Sequence, residues 1–142
     1  MLRNLNPVIT GDLLRQLDAM QPGELLALVS DGYPRHHANV SAIDIADISI
    51  ESAAEAIFSV LPVACDDPSP VLCWLADPTD EAAVDVAFAV NGLASDAERR
   101  RVGMTTLDTK EFNAAMNDAV STIRFPSDST PWAFLIRVGG LN

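Results

Sequence analysis

The sequence predicts a single α/β domain, residues 1–142, built on a mostly parallel sheet with helices on both faces. Short continuous apolar runs at 25–30 and 71–76 have the length expected of strands that are buried on both sides. Segments with apolar residues at helical spacing lie between such runs, so strands and helices alternate along the chain. A chain of 142 residues with 49% hydrophobic residues is also long enough to bury one sizeable core.

The first two elements are a helix and a buried strand. Capping chemistry at Thr10 and Asp12 starts the helix, and Pro22-Gly23 stops it. The apolar positions of the helix are Leu13, Leu14, Leu17 and Met20. The run 25–30 then predicts a strand that ends at the turn formers Asp31-Gly32 and Pro34.

Another strand and helix are predicted before the second apolar run. Residues 40–45 have strand character, and apolar positions from Ile50 to Leu61 mark a helix that Pro62 closes. The run 71–76 predicts a further buried strand, which Asp77-Pro78 ends.

The segment 81–91 fits two kinds of element. Its valines and Phe88 alternate as in a strand, whereas its alanine content and the capping residue Thr79 favour a helix, which we expect. Acidic Asp96 and Glu98 precede the arginines 99–101, and this order of charges suits the dipole of a helix.

The last third predicts a helix followed by two strands. The helix is capped by Asp108 or Thr109, and its apolar stripe consists of Phe112, Ala115, Met116 and Ala119. Residues 120–125 and 132–138 are predicted to form strands around the loop 126–131.

Charge and cysteine content exclude several classes of function. Nine Lys and Arg against 20 Asp and Glu leave a net charge of -11, which repels nucleic acid and anionic membranes. No signal peptide or membrane-spanning run is visible, so we expect a cytoplasmic protein. Cys65 and Cys73 lack the companions of a zinc site, so we expect two reduced thiols, Cys73 buried in a strand, and no metal. The positive mean hydropathy of +0.18 favours a homo-oligomer.

The predicted topology indicates where a ligand pocket lies. In open α/β sheets, ligands gather beyond the carboxyl ends of the strands. That rule selects Ser30 and Asp31 at the end of the first strand, together with His36 and His37 on the loop that follows. No metal box, nucleotide fingerprint or phosphate loop occurs in the sequence, so residue patterns alone predict only a soluble α/β domain.

Several ordered sequence features resemble one known family. At the start of the chain they are Met1-Leu2-Arg3, Asn6-Pro7-Val8-Ile9, Asp12-Leu13-Leu14, Leu17, Met20, Gly23-Glu24-Leu25 and Ser30-Asp31-Gly32-Tyr33-Pro34. Later in the chain they are Phe112-Asn113-Ala114-Ala115, residues 119–124 and Val138-Gly139. This order is similar to that of the ribose pyranase / fucose mutarotase family, in particular its fucose mutarotase branch.

The resemblance implies an activity and an assembly. Members of the family interconvert pyranose and anomeric forms of free monosaccharides without a cofactor, in ring-shaped oligomers whose pockets lie near subunit boundaries. Opening a hemiacetal needs a base for the anomeric hydroxyl and an acid for the ring oxygen. The partners implied for this chain are therefore a free monosaccharide, such as fucose or ribose, and further copies of itself.

Two positions depart from the family pattern. The family's histidine lies in a Gly-His-Gly-Asp stretch that is Gln21-Pro22-Gly23-Glu24 in this chain, and proline carries no proton. The family's Tyr-x-Asn near the last strand corresponds to Trp132-Ala133-Phe134. A second interpretation therefore stays open, in which the chain binds or senses a sugar but has lost the proton-transfer groups.

The resemblance also suggests residue roles. Asp31 corresponds to the family's pocket aspartate after a one-residue shift, whereas an ungapped alignment puts Ser30 there. His36 or His37 can supply the second proton carrier, the alternative being an exposed loop pair without a role. Trp132 is predicted to stack on the sugar, the alternative being a core or interface tryptophan. The predicted sugar contacts are Trp132, Ser30, Tyr33 and Phe134.

Overall fold

The structure is a computed structural model, which describes residues 11–33, 42–44 and 48–140. The described ranges contain four helices and six strands. In chain order they are α1 (Gly11–Ala19), β1 (Leu25–Ser30), β2 (Ala42–Asp44), α2 (Ile50–Val60), β3 (Val71–Leu75), α3 (Glu81–Glu98), β4 (Met104–Thr106), α4 (Thr109–Met116), β5 (Ala119–Phe125) and β6 (Trp132–Arg137).

All six strands belong to one sheet, with the order β2-β5-β1-β6-β3-β4. β5 runs parallel to both β1 and β2, and β4 runs parallel to β3. β6 is antiparallel to its neighbours β1 and β3, so five strands point one way and one points back. The reversal follows from the short connection 126–131, because a parallel return needs a crossover of a dozen or more residues. The predicted mostly parallel sheet is confirmed.

Helices cover both faces of the sheet, as predicted. All six residues of β1 are buried, and alternate side chains point to opposite faces. Leu26 and Leu28 join a large core with residues of α1, α2 and α3. Leu25, Ala27 and Val29 join a smaller core with residues of α4. The apolar run 25–29 of β1 is thus explained by a helical layer on each side.

The middle of the chain differs in detail from the sequence-based expectation. The segment 81–91 is helical, as expected, but it is part of a helix of 18 residues that ends at Glu98. Its N-cap is Asp80, whose side chain accepts a hydrogen bond from the Ala82 N–H, and not Thr79. Arg99 has a positive φ of 56° and forms the C-cap, so residues 99–101 follow the helix and do not belong to it. Ala119, expected in the last helix, belongs to β5.

The turn before β1 explains why α1 stops where it does. Gly23 adopts a φ of 92°, a conformation that side chains rarely tolerate. Its N–H donates to the Val138 carbonyl at 2.8 Å, and its own carbonyl accepts from Arg137 Nη1 at 2.6 Å. Pro22 therefore lies near the amino end of β1, whereas Asp31 follows the carboxyl end of the same strand.

Two sequence expectations concern cysteines and membranes. Cys73 is a free thiol buried in β3, as expected, and burial raises its pKa to about 12, whereas Cys65 is exposed. Among the described helices, none combines the length and the apolar character that crossing a bilayer requires.

Candidate functional site at the carboxyl edge of the sheet

The turn after β1 lies where the sheet topology predicts a ligand site. Asp31 directly follows the strand, and its side chain is exposed. Its N–H donates to the Phe125 carbonyl at the end of β5 at 2.8 Å, and the Tyr33 N–H donates to the Ser30 carbonyl at 3.0 Å. Within the described ranges no hydrogen bond or ion pair engages the Asp31 carboxylate, which is therefore accessible for proton transfer.

The turn is packed against the loop 126–131, which leads from β5 into β6. A Cβ atom built on Gly32 would lie 2.9 Å from Pro131 Cγ, closer than real Cβ atoms approach. Any side chain at this position would push the proline away, so glycine permits the close contact. The Asp31 turn thus touches both ends of the loop, through Phe125 at one end and Pro131 at the other.

Tyr33 anchors the turn to the layer below. Its ring is 2% exposed and packs edge-on against Trp74 and Phe112, with centroid distances of 5.5 and 6.1 Å. The hydroxyl donates to Asn113 Oδ1 at 2.8 Å. Burial raises the pKa of Tyr33 to about 12, so the phenol stays neutral at physiological pH.

A buried arginine lies under the same turn. Arg124 is 3% exposed, and its Nη1 donates to the Tyr33 carbonyl at 3.0 Å. Its Nε lies 3.6 Å from Oδ1 of Asp44, which belongs to β2, the outermost strand on that side of the sheet. The guanidinium therefore connects the turn after β1 with β5 and β2.

The remaining predicted sugar contacts are buried in the core of the protein. Ser30 is 1% exposed, and its hydroxyl accepts a hydrogen bond from the Trp132 N–H at 3.1 Å. Trp132 and Phe134 are both 0% exposed, with ring centroids 5.5 Å apart. The Trp132 indole N–H donates to Ser127 Oγ at 3.0 Å. These contacts favour the interpretation of Trp132 as a core residue over its interpretation as a residue that stacks on the sugar.

Asp80 holds the loop 126–131 from the side of α3. One carboxylate oxygen accepts from the Ala82 N–H, and the other accepts from the Thr130 N–H and hydroxyl at 2.9 and 2.8 Å. The hydrogen bonds from Thr130, first that of its backbone, lower the pKa of Asp80. The Pro131 carbonyl accepts from the Ala76 N–H at 2.9 Å, which ties the loop to the end of β3.

A cleft of about 540 Å³ opens between this loop and the first residues of α2 and α3. That volume lies within the range of about 300–1,000 Å³ typical of small-molecule sites. Hydroxyl groups of three serines and three carboxylates contribute to the wall, and no cationic side chain of the described residues does. The polar lining residues are Ser49, Glu51, Asp85, Ser127, Asp128 and Ser129. Asp31 does not line this cleft.

The described residues contain no cluster of three or more His, Cys, Asp or Glu side chains that could hold a metal ion. The polar side chains that line the cleft offer hydroxyl groups and carboxylates. Such groups suit a polyhydroxylated neutral ligand, because each ligand hydroxyl both donates and accepts hydrogen bonds.

The structure brings together some of the predicted site residues and not others. Ser30, Asp31, Tyr33 and Trp132 meet at the carboxyl edge of the sheet. His36 and His37 lie outside the described residues. The six residues of β1 span roughly 20 Å at about 3.3 Å per residue, so Pro22 and Asp31 are far apart within one chain.

Sequence reasoning did not identify Asp80, Asn113 or the serines of the loop as parts of this site. Asp80 carried one detectable signal, since an aspartate before an alanine-rich helix is a common N-cap. Its bond to Thr130 joins residues 50 apart, and the bond from Tyr33 to Asn113 joins residues 80 apart. No local sequence pattern predicts such pairs.

Comparison with known proteins supports the fold. No protein-family model matches the chain, and no curated protein matches it by sequence. The fucose mutarotase of Streptococcus pneumoniae, solved with L-fucose, has a TM-score of 0.84 at 17% identity, covering 99% of this chain and 100% of its own. RbsD of Bacillus subtilis, solved with D-ribose, has a TM-score of 0.70 at 16% identity and covers 100% of both chains.

A third solved structure is that of Atu2016, described as a candidate sugar-binding protein. It has a TM-score of 0.83 at 24% identity, covering 100% of this chain and 97% of its own. The resemblance seen in the sequence is thus supported at the level of the fold. At these identities the likeness carries the architecture along the whole chain and leaves the activity to be argued from the site.

Proposed function

We propose that this chain interconverts the anomeric, or the pyranose and furanose, forms of a free monosaccharide such as fucose or ribose, without a cofactor. The observation that carries the proposal is the likeness, over nearly the whole length of each chain, to proteins solved with L-fucose and with D-ribose. An exposed carboxylate at the carboxyl edge of the sheet, on a turn held at both sides, is the chemical group that such a reaction needs.

The proposed reaction needs two proton carriers. Asp31 takes the proton of the anomeric hydroxyl, the bond between the anomeric carbon and the ring oxygen breaks, and His36 or His37 donates a proton to the ring oxygen. The aldehyde group of the open-chain sugar then rotates. Asp31 and the histidine transfer the protons back, and the ring closes on the other face of the carbonyl. No electron leaves the sugar and the protons balance, so the cycle uses no co-reactant.

The charge of the site favours an unphosphorylated substrate. Glu51, Asp85 and Asp128 line the cleft beside the Asp31 turn, and the whole chain carries a net charge of -11. A phosphate ester would meet a repulsive field at this edge, whereas a neutral sugar would not. Its hydroxyls would find acceptors in the carboxylates and donors in the serine side chains.

A ring-shaped homo-oligomer with pockets near subunit boundaries is part of the proposal. The position of the family's histidine, Pro22 in this chain, and Asp31 lie at opposite edges of the sheet. A pocket that uses both edges is therefore completed by two copies of the chain. We also expect the protein to work in the cytoplasm, where free monosaccharides are metabolised.

A sugar-binding role without catalysis is the second candidate. Pro22 stands where the resemblance to the family places a proton-transferring histidine. The likeness to Atu2016, at 24% identity, points to the same role. In that case the edge and its cleft remain, and exchange of the bound sugar is not accelerated.

The proposed function is tested by NMR measurement of anomer exchange on a panel of free aldoses. We expect wild-type protein to accelerate exchange of one of them. Asp31→Asn and the double variant His36→Ala/His37→Ala should each lower the rate by about 10²–10⁴-fold, the usual contribution of one acid-base group. Asp96→Asn is the matched control, because it removes an exposed carboxylate on α3 away from the turn.

Each outcome of this test separates the two candidate functions. A wild-type rate equal to that of buffer, with saturation transfer to the sugar, would establish the binding role. Full activity in both variants would refute the residue assignment and keep the enzyme. Because the proposed histidine donates a proton, it must start as imidazolium, so the rate should fall as the pH rises through the ordinary imidazole pKa of about 6.5.

A further inference from the structure

Asp31 and the residue two positions later have opposite surroundings. The Asp31 side chain is exposed, whereas Tyr33 is 2% exposed and is held on all sides. The turn that joins them has only one intervening residue, Gly32, so the backbone of Asp31 moves with that of Tyr33. Whatever fixes Tyr33 therefore limits where the carboxylate can be.

A side-chain hydrogen bond fixes Tyr33 to another element. Its hydroxyl donates to Asn113 Oδ1 at 2.8 Å, and Asn113 lies in α4, the helix on the smaller face of the sheet. The ring is wedged between Trp74 and Phe112. The turn after β1 is thus held both by aromatic packing and by a directional hydrogen bond.

The backbone of the same residue is fixed from the opposite side. Arg124 Nη1 donates to the Tyr33 carbonyl at 3.0 Å, and the Asp31 N–H donates to the Phe125 carbonyl at 2.8 Å. The last residues of β5 thereby hold the main chain, and α4 holds the side chain. The Asp31 side chain itself is exposed.

We propose that Tyr33 and Asn113 are positioning residues, whose hydrogen bond holds the Asp31 carboxylate at the place where it meets the anomeric hydroxyl. The proposal rests on the proposed function. In this proposal Tyr33 supports the site through its buried hydroxyl, which donates to Asn113. Asn113, a residue of α4, then also contributes to the position of the carboxylate.

The physical argument is one of geometry. Proton transfer requires the carboxylate oxygen within about 2.6–3.2 Å of the hydroxyl that it deprotonates. Displacing a reacting group by about 1 Å can cost about 10²-fold in rate. Losing the bond removes one of the contacts that hold the turn and keeps the carboxylate, so the loss should appear in kcat while KM changes little.

The experiment compares three variants of the tether with one control. Tyr33→Phe removes the donor and keeps the ring, and Asn113→Ala removes the acceptor. Asn113→Asp restores an acceptor oxygen. Thr109→Val is the matched control, because it removes the neighbouring bond from the Trp74 indole N–H to Thr109 Oγ1, at 2.9 Å, which also ties an aromatic ring to α4 without touching the turn.

We expect kcat for anomer exchange to fall by about tenfold in Tyr33→Phe and in Asn113→Ala, with KM within about twofold of wild type. Asn113→Asp should recover most of the rate, and Thr109→Val should retain it. Tyr33 is the single tyrosine of the chain, so one labelled tyrosine resonance reports whether its bond is broken in Asn113→Ala and restored in Asn113→Asp.

The outcomes separate this proposal from the function on which it rests. A wild-type protein that exchanges no sugar faster than buffer refutes the proposed function, and the positioning role with it. An active wild type whose Tyr33→Phe and Asn113→Ala variants are equally active overturns the positioning role alone. The positioning role is also overturned if Thr109→Val loses as much kcat as they do, because the effect then comes from a loosened aromatic layer.

Discussion

Trp132 illustrates how burial decides the role of a residue that has two plausible uses. Its ring lies between Phe125 and Phe134, with centroid distances of 6.3 and 5.5 Å, and it has no exposed surface. The indole N–H is satisfied by Ser127 Oγ inside the protein. The ring of Trp132 is packed in the core and its indole N–H is hydrogen-bonded to Ser127, so neither is available to a sugar. Its contribution is therefore to stability.

We therefore predict that Trp132→Ala lowers the free energy of unfolding by about 3–5 kcal/mol, as expected for a large side chain removed from a core. Trp132→Phe should keep sugar affinity at the wild-type value. Urea unfolding and sugar titration by NMR measure the two effects. Ser127→Ala measures the part of the loss in stability that comes from the Ser127 hydroxyl, which accepts from the indole N–H and also bonds to Ser129. A loss of sugar affinity in folded Trp132→Phe would restore the stacking role.

At the scale of elements, Asp80 connects a helix with a loop. It caps α3 through the Ala82 N–H, and it holds Thr130 in the connection between β5 and β6 through two hydrogen bonds. These bonds favour the ionised carboxylate, and those from Thr130, first that of its backbone, lower the pKa of Asp80. The carboxylate thus helps to hold the loop that forms one wall of the cleft.

A group whose pKa is lower in the folded than in the unfolded protein stabilises the fold above its ordinary pKa and loses that effect as the pH falls. We predict that thermal stability decreases between roughly pH 5 and pH 2, and that Asp80→Asn decreases less over this range. Asp108→Asn is the matched control, because Asp108 caps α4 through the Glu111 N–H and holds no second element. Identical acid profiles for Asp80→Asn and wild type would contradict the prediction.

At the scale of the whole molecule, the turn at Pro22 and the turn at Asp31 are separated by the length of β1. The surface also keeps large apolar side chains in contact with water, Phe88 at 67% exposure above all, followed by Val120 and Val60. These three side chains lie on different elements, so the expectation of an oligomer rests on the mean hydropathy of +0.18.

We predict a stable homo-oligomer at micromolar concentration, with a mass that is a multiple of 15.2 kDa. Light scattering on a size-exclusion column measures it directly. Burial of apolar surface between subunits drives the association, so the oligomer should persist at high salt, which screens only the charges. A mass of one chain would exclude a pocket shared between subunits, and with it the ring.

Local sequence patterns were sufficient to predict the class of fold and most of its elements. The apolar run 25–29 of β1 specifies a strand covered on both faces, and the spacing of Leu13 and Leu17 specifies a helix with one buried side. Both patterns are local, because a period of two or of 3.6 residues is written within a dozen positions. The same holds for the carboxyl-edge location of Asp31, which needs only the strand to end there.

Tertiary structure decided what depends on partners distant in the chain. β4 is three residues long and partly exposed, and it is a strand only because β3 lies beside it. The antiparallel direction of β6 follows from the sheet order and a short loop. The burial of Trp132 and the bonds of Tyr33 to Asn113 and Asp80 to Thr130 exist because the sheet brings those residues together. Such contacts depend on how several elements are packed at once, and no single segment of the sequence encodes that.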